Sequence, residues 1–517
     1  MTEDNRKISE YINALKDAGL LVSVSGADPE ARIASVSFDS REAGPGTLFI
    51  CKGLNFKAEY ALSAREKGAE CFVCEKAPAE GLPCLIVSDV RRAMAVCSWV
   101  WCGKSFLDFP LIGLTGTKGK STTLYYVKAV CEAWCAKNGL GPFGYISTID
   151  TFDGKVLYES HLTTPEAPEL AKRFRNAKEA GVFAMGMEVS SQALKYDRCF
   201  GLRFSLGAFL NFGSDHIGDL EHPTIEDYLQ SKLKIFSCSD RTMIDLDTER
   251  IEEVLKAAED AAPAGGLIFY SPLGNDQVLG RKAHYAARNI RKESGMTVFE
   301  VWGRASQEAP LSFITEIRLT MPGLFNAENA LAAFVICSQL GIPAEDIRDA
   351  LLNARAAGRM ELYEDRERDV TVIVDYAHNE LSYEKLFGSC KSEYPGRRIE
   401  IVFGCPGGKG LSRRVELPRV TAKYADYAWI TEEDPFMDDP MEISKEVLNN
   451  LLSFGGHGEI IVDREACIRT AIEKAAPGTV IILAAKGREL YQHRGNEYVK
   501  IVSDAELAAK LTGNVFR

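Results

Sequence analysis

Short apolar runs alternate with amphipathic stretches along the whole chain, and their order divides it into three blocks. In the first block, residues 1–107, an amphipathic N-terminal stretch precedes the strand-like runs "RIASVSFDSR", "CFVCE" and "CLIVS". Residues 58–67 and 91–102 have helical periodicity. Strands that alternate with helices predict a parallel sheet with both faces covered. The first block is therefore expected to be a small α/β domain.

The second block, residues 108–357, repeats this alternation on a larger scale. The apolar run "PLIGLTG" leads into a glycine-rich loop and a helical stretch, and further strands are predicted at 183–189, 204–211 and 242–246. Between residues 266 and 320 the pattern changes to short alternating runs such as "TVFEVW" and "SFITEIRL", which predict an antiparallel extension of the sheet. Helical periodicity returns at 327–340 and 344–354.

The third block, residues 358–517, predicts another doubly wound α/β unit. Its apolar runs are "VTVIVDY", "RIEIVFG", "YAWIT", "EIIVD" and "TVIILAA", and helical segments separate them. We find no internal repeat and no low-complexity tract. The fold class predicted for the chain is therefore α/β, with three domains.

Composition narrows the class of protein. The chain has 517 residues, 46% of them hydrophobic and 26% charged, and a net charge of −12, which favours neither nucleic acid nor an anionic membrane as a partner. No signal peptide and no run long enough to cross a bilayer is found, so a cytoplasmic protein is predicted. The fourteen cysteines lack regular spacing. Cys71 and Cys74 form one isolated CxxC, which is expected to be two reduced core thiols, with a metal or redox pair as the alternative.

The stretch "GLTGTKGKSTT" predicts a phosphate site between a strand and a helix. The common phosphate loop is G-x-x-x-x-G-K-[ST], but here Leu114 occupies the first glycine position. Gly116 and Gly119 still let backbone N–H groups close on phosphate oxygens, Lys120 supplies charge, and Ser121 can ligate Mg²⁺. We therefore predict that the loop binds ATP or GTP; a simple glycine turn is the alternative.

Further stretches resemble the Mur ligase family. They are "GTKGKS", "MEVSSQALKYDR", "FLNFGSDH", "GRME" and "VDYAHN". Folylpolyglutamate synthases share part of this set, but "SFDSREAGPGTLFICKG" in the first block resembles the UDP-binding domain of the MurE-type branch. "HLTTPEAPEL", "MPGLFNAENALAA" and "FGCPGGKG" fit the same branch, and the resemblance covers nearly the whole chain in the family's motif order.

The resemblance implies an organisation and a reaction. It implies a UDP-sugar-binding domain at 1–107, a central P-loop domain with a parallel mononucleotide-binding sheet at 108–357, and a Rossmann-like ligase domain at 358–517. The last domain would close on ATP and bind the amino acid. In the implied reaction, the D-glutamate carboxylate of UDP-MurNAc-L-Ala-D-Glu takes the γ-phosphate of ATP. The amine of a diamino acid then attacks the acyl phosphate. ATP and Mg²⁺ are the expected cofactors, and a monomer is expected.

Phosphorylating a carboxylate brings negative charges together, so the site must supply positive charge. By resemblance, the catalytic residues are Lys120, Glu188, His216 and Lys232. The metal ligands are Ser121, Glu188, His216 and Lys232, the last as a carbamate (N6-carboxylysine). Glu188 ends one apolar strand and His216 follows another, so both are expected at the carboxyl edge of the sheet, where open α/β sheets bind ligands. Lys234 is the alternative to Lys232, and either lysine can instead be solvated on its helix.

The remaining site residues also come from the resemblance. The positions expected to face ATP are Gly116, Thr117, Lys118, Gly119, Lys120, Ser121, Thr122, Asn326, Asn329, Arg359, Asp375 and His378. Those expected to hold UDP-MurNAc-dipeptide are Ser40, Thr163, Thr164, Ser190 and Arg198. Among them Arg198 is the expected partner of a carboxylate or phosphate.

The stretch "TEEDPFMDDP" bears on which amino acid is added. Family members that use meso-diaminopimelate have Asp-Asn-Pro-Arg here, and the arginine meets the extra carboxylate. This chain has Glu433, Asp434, Pro435 and Phe436 instead. An acidic site without that arginine suits a substrate that ends in an ammonium group, so L-lysine is predicted and ornithine fits equally. Glu489 matches a glutamate that contacts the amino acid in the family.

Three alternatives stay open at this point. Arg413, Arg414 or Arg488 can supply the missing charge, which keeps meso-diaminopimelate possible. A folylpolyglutamate-synthase-like ligase is the more distant alternative, although it would lack the first block. A nucleotide-binding scaffold with a dead site would be expected to lack one of the four catalytic residues, and all four are present.

Overall fold

Secondary structure follows the predicted alternation in the computed structural model, which describes residues 5–53, 56–160, 162–213, 222–261, 266–306, 308–408 and 410–514. The chain divides into two units. The first unit comprises Met1–Lys118, Cys131–Asn211 and Leu229–Ile268, and the second comprises Gly119–Val130, Phe212–Tyr228 and Phe269–Arg517. The predicted α/β class is confirmed. The three sequence-based domain boundaries stay a prediction.

The N-terminal part of the first unit is a five-stranded sheet with helices. Its elements are β1 (Arg6–Lys7), α1 (Ile8–Asp17), β2 (Leu21–Ser25), β3 (Arg32–Ile33), β4 (Ser35–Ser37), β5 (Thr47–Ile50), α2 (Ala58–Glu66), β6 (Ala69–Cys74), β7 (Cys84–Val87), α3 (Val90–Trp101) and a 3₁₀ turn at Ser105–Leu107. The strand order is β2-β7-β6-β5-β4; β2 and β7 run antiparallel and the other neighbours run parallel. The run "RIASVSFDSR", expected as one strand, is split, because β3 pairs with β1 instead of joining this sheet.

Alternating side chains explain why this sheet has a core on each face. Leu48 and Ile50 on β5 point into the core that contains α1 and α3, whereas Phe49 points into the core that contains α2. This is the period of two that a strand buried on both faces requires. The cysteines join the cores as reduced thiols, and burial raises the pKa of the Cys71 thiol to about 12.

The larger sheet of the first unit carries the glycine-rich loop. Its elements are β8 (Leu111–Thr115), α4 (Lys120–Asn138), β9 (Phe143–Ile146), β10 (Asp150–Phe152), β11 (Leu157–Glu159), α5 (Ala167–Ala180), β12 (Ala184–Glu188), α6 (Ser191–Lys195), β13 (Leu206–Phe209), α7 (Ile225–Ser237), β14 (Thr242–Asp245) and α8 (Ile251–Ala261). The first part of α4 and of α7 belongs to the second unit. The order is β11-β10-β9-β12-β8-β13-β14, and the strands from β9 to β14 in this order run parallel. Position 113 in β8 requires a glycine, because a β-carbon there would come 2.9 Å from the Phe204 ring.

An antiparallel extension follows, and its residues from Phe269 onward belong to the second unit. Its elements are β15 (Leu267–Ser271), β16 (Gln277–Val278), β17 (Arg281–Lys282), β18 (Tyr285–Glu293), β19 (Met296–Gly303), β20 (Ser312–Leu319), α9 (Asn326–Gln339) and α10 (Ala344–Leu351). Strands β18, β19 and β20 are antiparallel, as the alternating runs predict. β15 pairs with β18 in parallel, and the quoted alternating runs do not include this pair.

The C-terminal part of the second unit is a six-stranded sheet. Its elements are β21 (Glu361–Asp365), β22 (Val370–Asp375), α11 (Glu380–Glu393), β23 (Arg398–Phe403), α12 (Arg413–Tyr424), β24 (Tyr427–Ile430), α13 (Pro440–Ser453), β25 (Gly458–Ile460), α14 (Arg464–Lys474), β26 (Thr479–Ala484), β27 (Tyr491–Arg494), β28 (Glu497–Lys500) and α15 (Asp504–Thr512). The order is β21-β22-β26-β23-β24-β25, and only β21 among these joins antiparallel. The five apolar runs predicted as strands are confirmed, while the edge strand β21 and the hairpin β27–β28 were not anticipated. Within the described residues, no helix is both long and apolar enough to span a membrane.

Candidate active site

The phosphate loop is anchored by a strand-end asparagine that the sequence analysis did not select. The carbonyl of Asn211, beyond the end of β13, accepts a hydrogen bond from Thr117 N at 3.1 Å. Its side-chain amide forms hydrogen bonds with both backbone groups of Lys118: Oδ1 accepts from the N–H at 2.8 Å, and Nδ2 donates to the carbonyl oxygen at 3.0 Å. Because β8 and β13 are adjacent parallel strands, their carboxyl ends place the loop and Asn211 side by side.

Both glycines that were predicted to admit phosphate lie close to other residues, and a β-carbon would be tight at Gly116 and would clash at Gly119. A β-carbon on Gly116 would come 3.1 Å from the Leu210 β-carbon and 3.3 Å from Asn211 N. Gly119 has φ +82°, and a β-carbon there would come 2.3 Å from Asn329 Oδ1. The backbone at these positions therefore stays bare, which is the condition for its N–H groups to approach an anion.

Lys232, and not Lys234, reaches the loop. Lys232 lies on α7 with 1% of its surface exposed, and its Nζ donates a hydrogen bond to the Gly116 carbonyl at 2.9 Å. Lys234 instead bonds the Leu194 carbonyl at 3.0 Å and pairs with Asp197 at 3.4 Å. The two lysines therefore have different surroundings, and Lys232, the one predicted to be carbamylated, is the buried one.

Glu188 is buried at the end of β12 beside several predicted substrate residues. Its carboxylate accepts from Thr148 N at 2.9 Å and from the Thr148 hydroxyl at 3.3 Å. The Thr164 hydroxyl donates to the Glu188 carbonyl at 2.9 Å and accepts from Ser190 N at 3.0 Å. Thr163 joins this group through a 3.1 Å contact with the Thr148 hydroxyl. These predicted residues thus lie together at one strand end.

Two other predicted residues have different positions. His216 lies outside the described residues. Ser40 lies in a turn of the N-terminal sheet region, where its carbonyl accepts from Lys67 Nζ at 2.7 Å and the neighbouring Asp39 pairs with Arg41 at 2.6 Å. In the described part of the chain, no group of three or more histidine, cysteine, aspartate or glutamate side chains is placed to hold a metal ion.

Arg198 lies in a charged cluster with residues that the sequence did not single out. Its Nε donates to Glu166 at 3.0 Å and its Nη1 donates to the Thr164 carbonyl at 2.9 Å. The second oxygen of Glu166 lies 2.7 Å from Lys52 Nζ. Burial alone would raise the pKa of Glu166, but Arg198 and Lys52 outweigh it and the pKa lies below its ordinary value. Burial lowers the pKa of Lys52 despite this contact.

The second unit contains most of the residues expected to face ATP, while Gly116, Thr117 and Lys118 belong to the first unit. Arg359 Nη2 donates to the Ser121 hydroxyl at 3.4 Å, and its guanidinium lies 4.7 Å from the centre of the Tyr376 ring. At the start of α9, Asn329 donates to Asn326 Oδ1 at 3.1 Å, and Asn326 donates to the Pro322 carbonyl at 2.6 Å. Lys120 and Thr122 lie in the first turn of α4. Gly119, the first turn of α4 and Arg359 thus lie close together.

Asp375 and His378 have internal partners. The buried Asp375 carboxylate accepts from Met360 N and Ala377 N, both at 2.8 Å, and burial raises its pKa. The Nδ1 of His378 lies 2.7 Å from the Tyr376 carbonyl. Asp375 therefore fixes the turn after β22 and the position of Met360, next to Arg359.

The predicted amino-acid residues meet around a lysine that the sequence analysis missed. Lys486, 2% exposed, lies 2.9 Å from Asp434 Oδ1 and also pairs with Glu489. Burial alone would lower the pKa of Lys486, but the two carboxylates outweigh it and raise the pKa. Glu489 also accepts from the Tyr376 hydroxyl at 2.6 Å, so the amino-acid residues connect to Arg359 through one aromatic ring. One buried lysine is therefore shared by the two carboxylates of Asp434 and Glu489.

Three other residues of the "EDPF" stretch shape its backbone. Phe436 has φ +51° and its ring centre lies 4.3 Å from that of His493. A β-carbon on Gly407 would come 1.9 Å from the Pro435 carbonyl oxygen. The Glu433 carbonyl accepts from the Gln492 amide, and the Glu433 side chain is 8% exposed.

Two arginines considered as replacements for the missing one have acidic partners. Arg414 pairs with Asp438 at 2.8 Å and Glu446 at 3.0 Å, and Arg488 donates to Glu361 at 2.7 Å. Arg413 lies at the start of α12, with its side chain against Gly410.

Comparisons with known proteins agree with this architecture. The sequence matches the Mur ligase middle domain over residues 114–337 and the Mur ligase glutamate ligase domain over residues 358–487. It is 33% identical to a UDP-N-acetylmuramyl-tripeptide synthetase of Limosilactobacillus reuteri, over 97% of this chain and 98% of that protein. It is also 33% identical to a UDP-N-acetylmuramoyl-L-alanyl-D-glutamate–L-lysine ligase of Streptococcus pyogenes, over 92% of each chain.

A solved structure extends the likeness to the whole fold. A UDP-N-acetylmuramoyl-L-alanyl-D-glutamate–2,6-diaminopimelate ligase superposes with a TM-score of 0.63 at 21% identity, covering 98% of this chain and 99% of that one. That protein and the Streptococcus pyogenes relative differ in the amino acid that their names state, so the fold does not select between lysine and diaminopimelate. The resemblance seen in the motifs is confirmed: the chain belongs to the Mur ligase family.

Proposed function

We propose that this chain is an ATP-dependent ligase that joins a diamino acid, L-lysine in the favoured case, to the D-glutamate of UDP-MurNAc-L-Ala-D-Glu in peptidoglycan precursor synthesis. The observation that carries the proposal is the similarity over nearly the full length to two proteins whose names state this type of reaction. The geometry of the loop and of the strand-end residues supports it. The proposed setting is the cytoplasm.

The phosphate loop fits the phosphate groups of a nucleoside triphosphate. A β-carbon would be tight at Gly116 and would clash at Gly119, and glycine at both positions leaves the backbone N–H groups open to phosphate oxygens. The Asn211 side chain forms hydrogen bonds with the backbone N–H and carbonyl of Lys118, which fixes the loop before any ligand binds. Arg359, held over Tyr376, brings a second positive charge to the Ser121 hydroxyl. Positive charge that is already in place costs no reorganisation when phosphate charge develops.

The chemistry of the proposed metal ligands fits Mg²⁺, which prefers oxygen and is commonly bound by one or two carboxylates together with substrate phosphates. Glu188 supplies a carboxylate and Ser121 a hydroxyl. Lys232 as a carbamate would add a further oxygen pair beside the Gly116 carbonyl, and His216 remains a predicted ligand. Bound ATP supplies the phosphoryl group that activates the carboxylate, and Mg²⁺ offsets the charge of the phosphates.

The chain's own residues then have three tasks in the reaction. Thr163, Thr164 and Ser190 hold the sugar-peptide substrate near Glu188, and Arg198 balances an acidic group of that substrate. Lys120 and Arg359 stabilise the negative charge that builds on the transferred phosphoryl group. Glu489 and Asp434 orient the incoming amino acid, whose uncharged amine attacks the acyl phosphate and releases phosphate. Exclusion of water matters here, because water is the competing nucleophile.

L-Lysine is favoured because Phe436 replaces the arginine that would meet a second carboxylate. The charges seen in the structure refine this argument. Lys486 pairs with both Asp434 and Glu489, so this one cation offsets only one of the two carboxylates, and together with Glu433 these side chains keep a net negative charge. Arg414 and Arg488 are paired with acids, which supports an amino acid that brings an ammonium group instead of a carboxylate.

Amino-acid-dependent phosphate release tests the proposal. The protein is mixed with ATP, Mg²⁺ and UDP-MurNAc-L-Ala-D-Glu, and L-lysine, L-ornithine and meso-diaminopimelate are offered separately. Turnover with L-lysine is expected, and ornithine is the next best fit. Turnover with diaminopimelate alone would retain the ligase and overturn the selectivity argument. No turnover with any of the three, but turnover with a folate and glutamate, would instead place the chain with the folylpolyglutamate synthases.

A further inference from the structure

An excess of positive charge surrounds Glu166 in the first unit. Lys52, at the end of β5, and Arg198, after α6, contact its two carboxylate oxygens at 2.7 and 3.0 Å. Arg91, in the first turn of α3, lies with its guanidinium 4.8 Å from the centre of the Tyr196 ring, two positions before Arg198, and adds a third positive charge near Glu166 and Lys52. Two cations thus contact one carboxylate and a third lies near them, so these four side chains carry a net charge of about +2.

The cluster is shielded from solvent, and the nearest acid along the chain does not neutralise it. The side chains of Lys52, Glu166 and Arg198 are 10%, 14% and 13% exposed. That acid, Asp197, is itself paired with Arg92 at 3.1 Å and with Lys234 at 3.4 Å. An unbalanced positive charge at this depth is unfavourable unless an anion joins it.

The cluster also lies between the two ends of the proposed sugar-nucleotide site. Lys52 Nζ lies 4.4 Å from the centre of the Phe38 ring, two positions before the predicted UDP contact Ser40. On the other side, Arg198 donates to the Thr164 carbonyl, and the Thr164 hydroxyl donates to the carbonyl of Glu188. A substrate that stretches from the Ser40 turn to Glu188 would therefore pass these cations.

We infer that Lys52 and Arg91 complete, together with Arg198, an oxyanion subsite for the sugar-nucleotide substrate, and that Lys52 is a specificity-determining residue on the N-terminal sheet. This inference rests on the proposed function. The substrate carries oxyanions of two kinds, the diphosphate and the carboxylates of D-glutamate. Glu166 serves as the internal anion that keeps the cations in place, and the substrate oxyanion brings the charge toward balance.

The test compares Lys52→Met and Lys52→Arg with the exposed control Lys57→Met, which sits on the same sheet region outside the cluster. Loss of a charge-assisted contact is expected to raise the KM for UDP-MurNAc-L-Ala-D-Glu about ten-fold or more in Lys52→Met, with the KM for ATP unchanged. Lys52→Arg should recover most of the affinity, and Lys57→Met should match the wild type. Arg91→Gln, measured in the same way, keeps the inference testable if Lys52→Met folds poorly.

Inhibition by UDP, which has the diphosphate but no carboxylate, identifies the oxyanion. A weaker Ki in Lys52→Met assigns the subsite to the diphosphate, and an unchanged Ki with a raised substrate KM assigns it to the peptide carboxylates. An unchanged KM in both Lys52→Met and Arg91→Gln would overturn the inference and leave a purely structural ion pair. Wild-type turnover in the same experiment separates this outcome from failure of the proposed function, in which neither the wild type nor any variant would show activity.

Discussion

At the scale of single residues, the sharpest constraint is the absence of room at Gly119. A β-carbon there would come 2.3 Å from Asn329 Oδ1, and φ +82° adds a backbone cost of about 1–2 kcal/mol for any other residue. Gly119→Ala is therefore expected to displace Asn329 and to raise the KM for ATP about ten-fold or more. Steady-state kinetics and the affinity for a non-hydrolysable ATP analogue measure this change.

Gly139→Ala is the matched control, because Gly139 has φ +63° and a β-carbon added there would meet nothing within 4 Å among the described residues. It should lose a similar free energy of unfolding and keep its KM for ATP. Equal effects on ATP in the two variants would show that backbone strain, and not contact with Asn329, explains the loss.

Glu166 makes a second prediction at this scale, through its pKa. Burial would raise that pKa, yet Arg198 and Lys52 hold it below its ordinary value of 4.5. A depressed carboxyl pKa contributes stability that is present above pH 4.5 and is lost as the pH falls through the folded-state pKa. The gap in urea midpoint between wild type and Glu166→Gln should therefore shrink below that pH.

The control for this titration is Glu169→Gln, whose carboxylate is about half exposed and pairs with Arg173 on the same helix. Such surface pairs contribute only about 0.3–0.5 kcal/mol, so this variant should follow the wild type at every pH. A gap for Glu166→Gln that stays constant between pH 6 and pH 3.5 would contradict a carboxylate shared by two cations.

At the scale of elements, the contact between the end of β13 and the phosphate loop depends on the side-chain amide of Asn211. Asn211→Asp replaces the donor that faces the Lys118 carbonyl with a second acceptor, while the bond from Lys118 N is retained. We expect a looser loop, with the KM for ATP raised about ten-fold. Asn138→Asp removes an exposed bond of the same type, from Nδ2 to the Trp134 carbonyl at 2.9 Å, at the opposite end of α4 from the loop. Any equal loss of ATP affinity in the control would count against a specific role of Asn211.

The same contact between Asn211 and the phosphate loop shows what the sequence can predict and what it cannot. The strand, the glycines and the helix of the loop are local features, so periodicity and residue type are enough to predict them. Asn211 lies in the quoted stretch "FLNFGSDH", but its partner Lys118 is 93 positions away and neither periodicity nor residue type identifies that contact. The contacts of Lys52 with Glu166 and of Lys486 with Asp434 were missed for the same reason, since these partners come from other elements. Contacts of this kind require the order of strands in the sheet, which a single sequence does not provide.

At the scale of the whole molecule, the reaction sets a requirement that no single contact meets. An acyl phosphate hydrolyses readily in water, so the site must close before it forms and open after the amine has attacked. Three domains connected by short linkers, as the sequence predicts, can meet this requirement by hinge rotation. A compact globular body of 517 residues would have a radius of gyration of about 24 Å.

Small-angle scattering can therefore follow closure directly. The radius of gyration of the free protein should exceed the compact value, and it should fall toward that value when a non-hydrolysable ATP analogue and UDP-MurNAc-L-Ala-D-Glu are added together. Either ligand alone should cause a smaller change, because each contacts only part of the predicted set of residues. Lys52→Met at subsaturating sugar nucleotide should compact less than Lys57→Met, since it would bind that ligand more weakly. A radius unchanged by both ligands would exclude hinge closure, and water would then have to be kept out by local loop movements around the bound substrates.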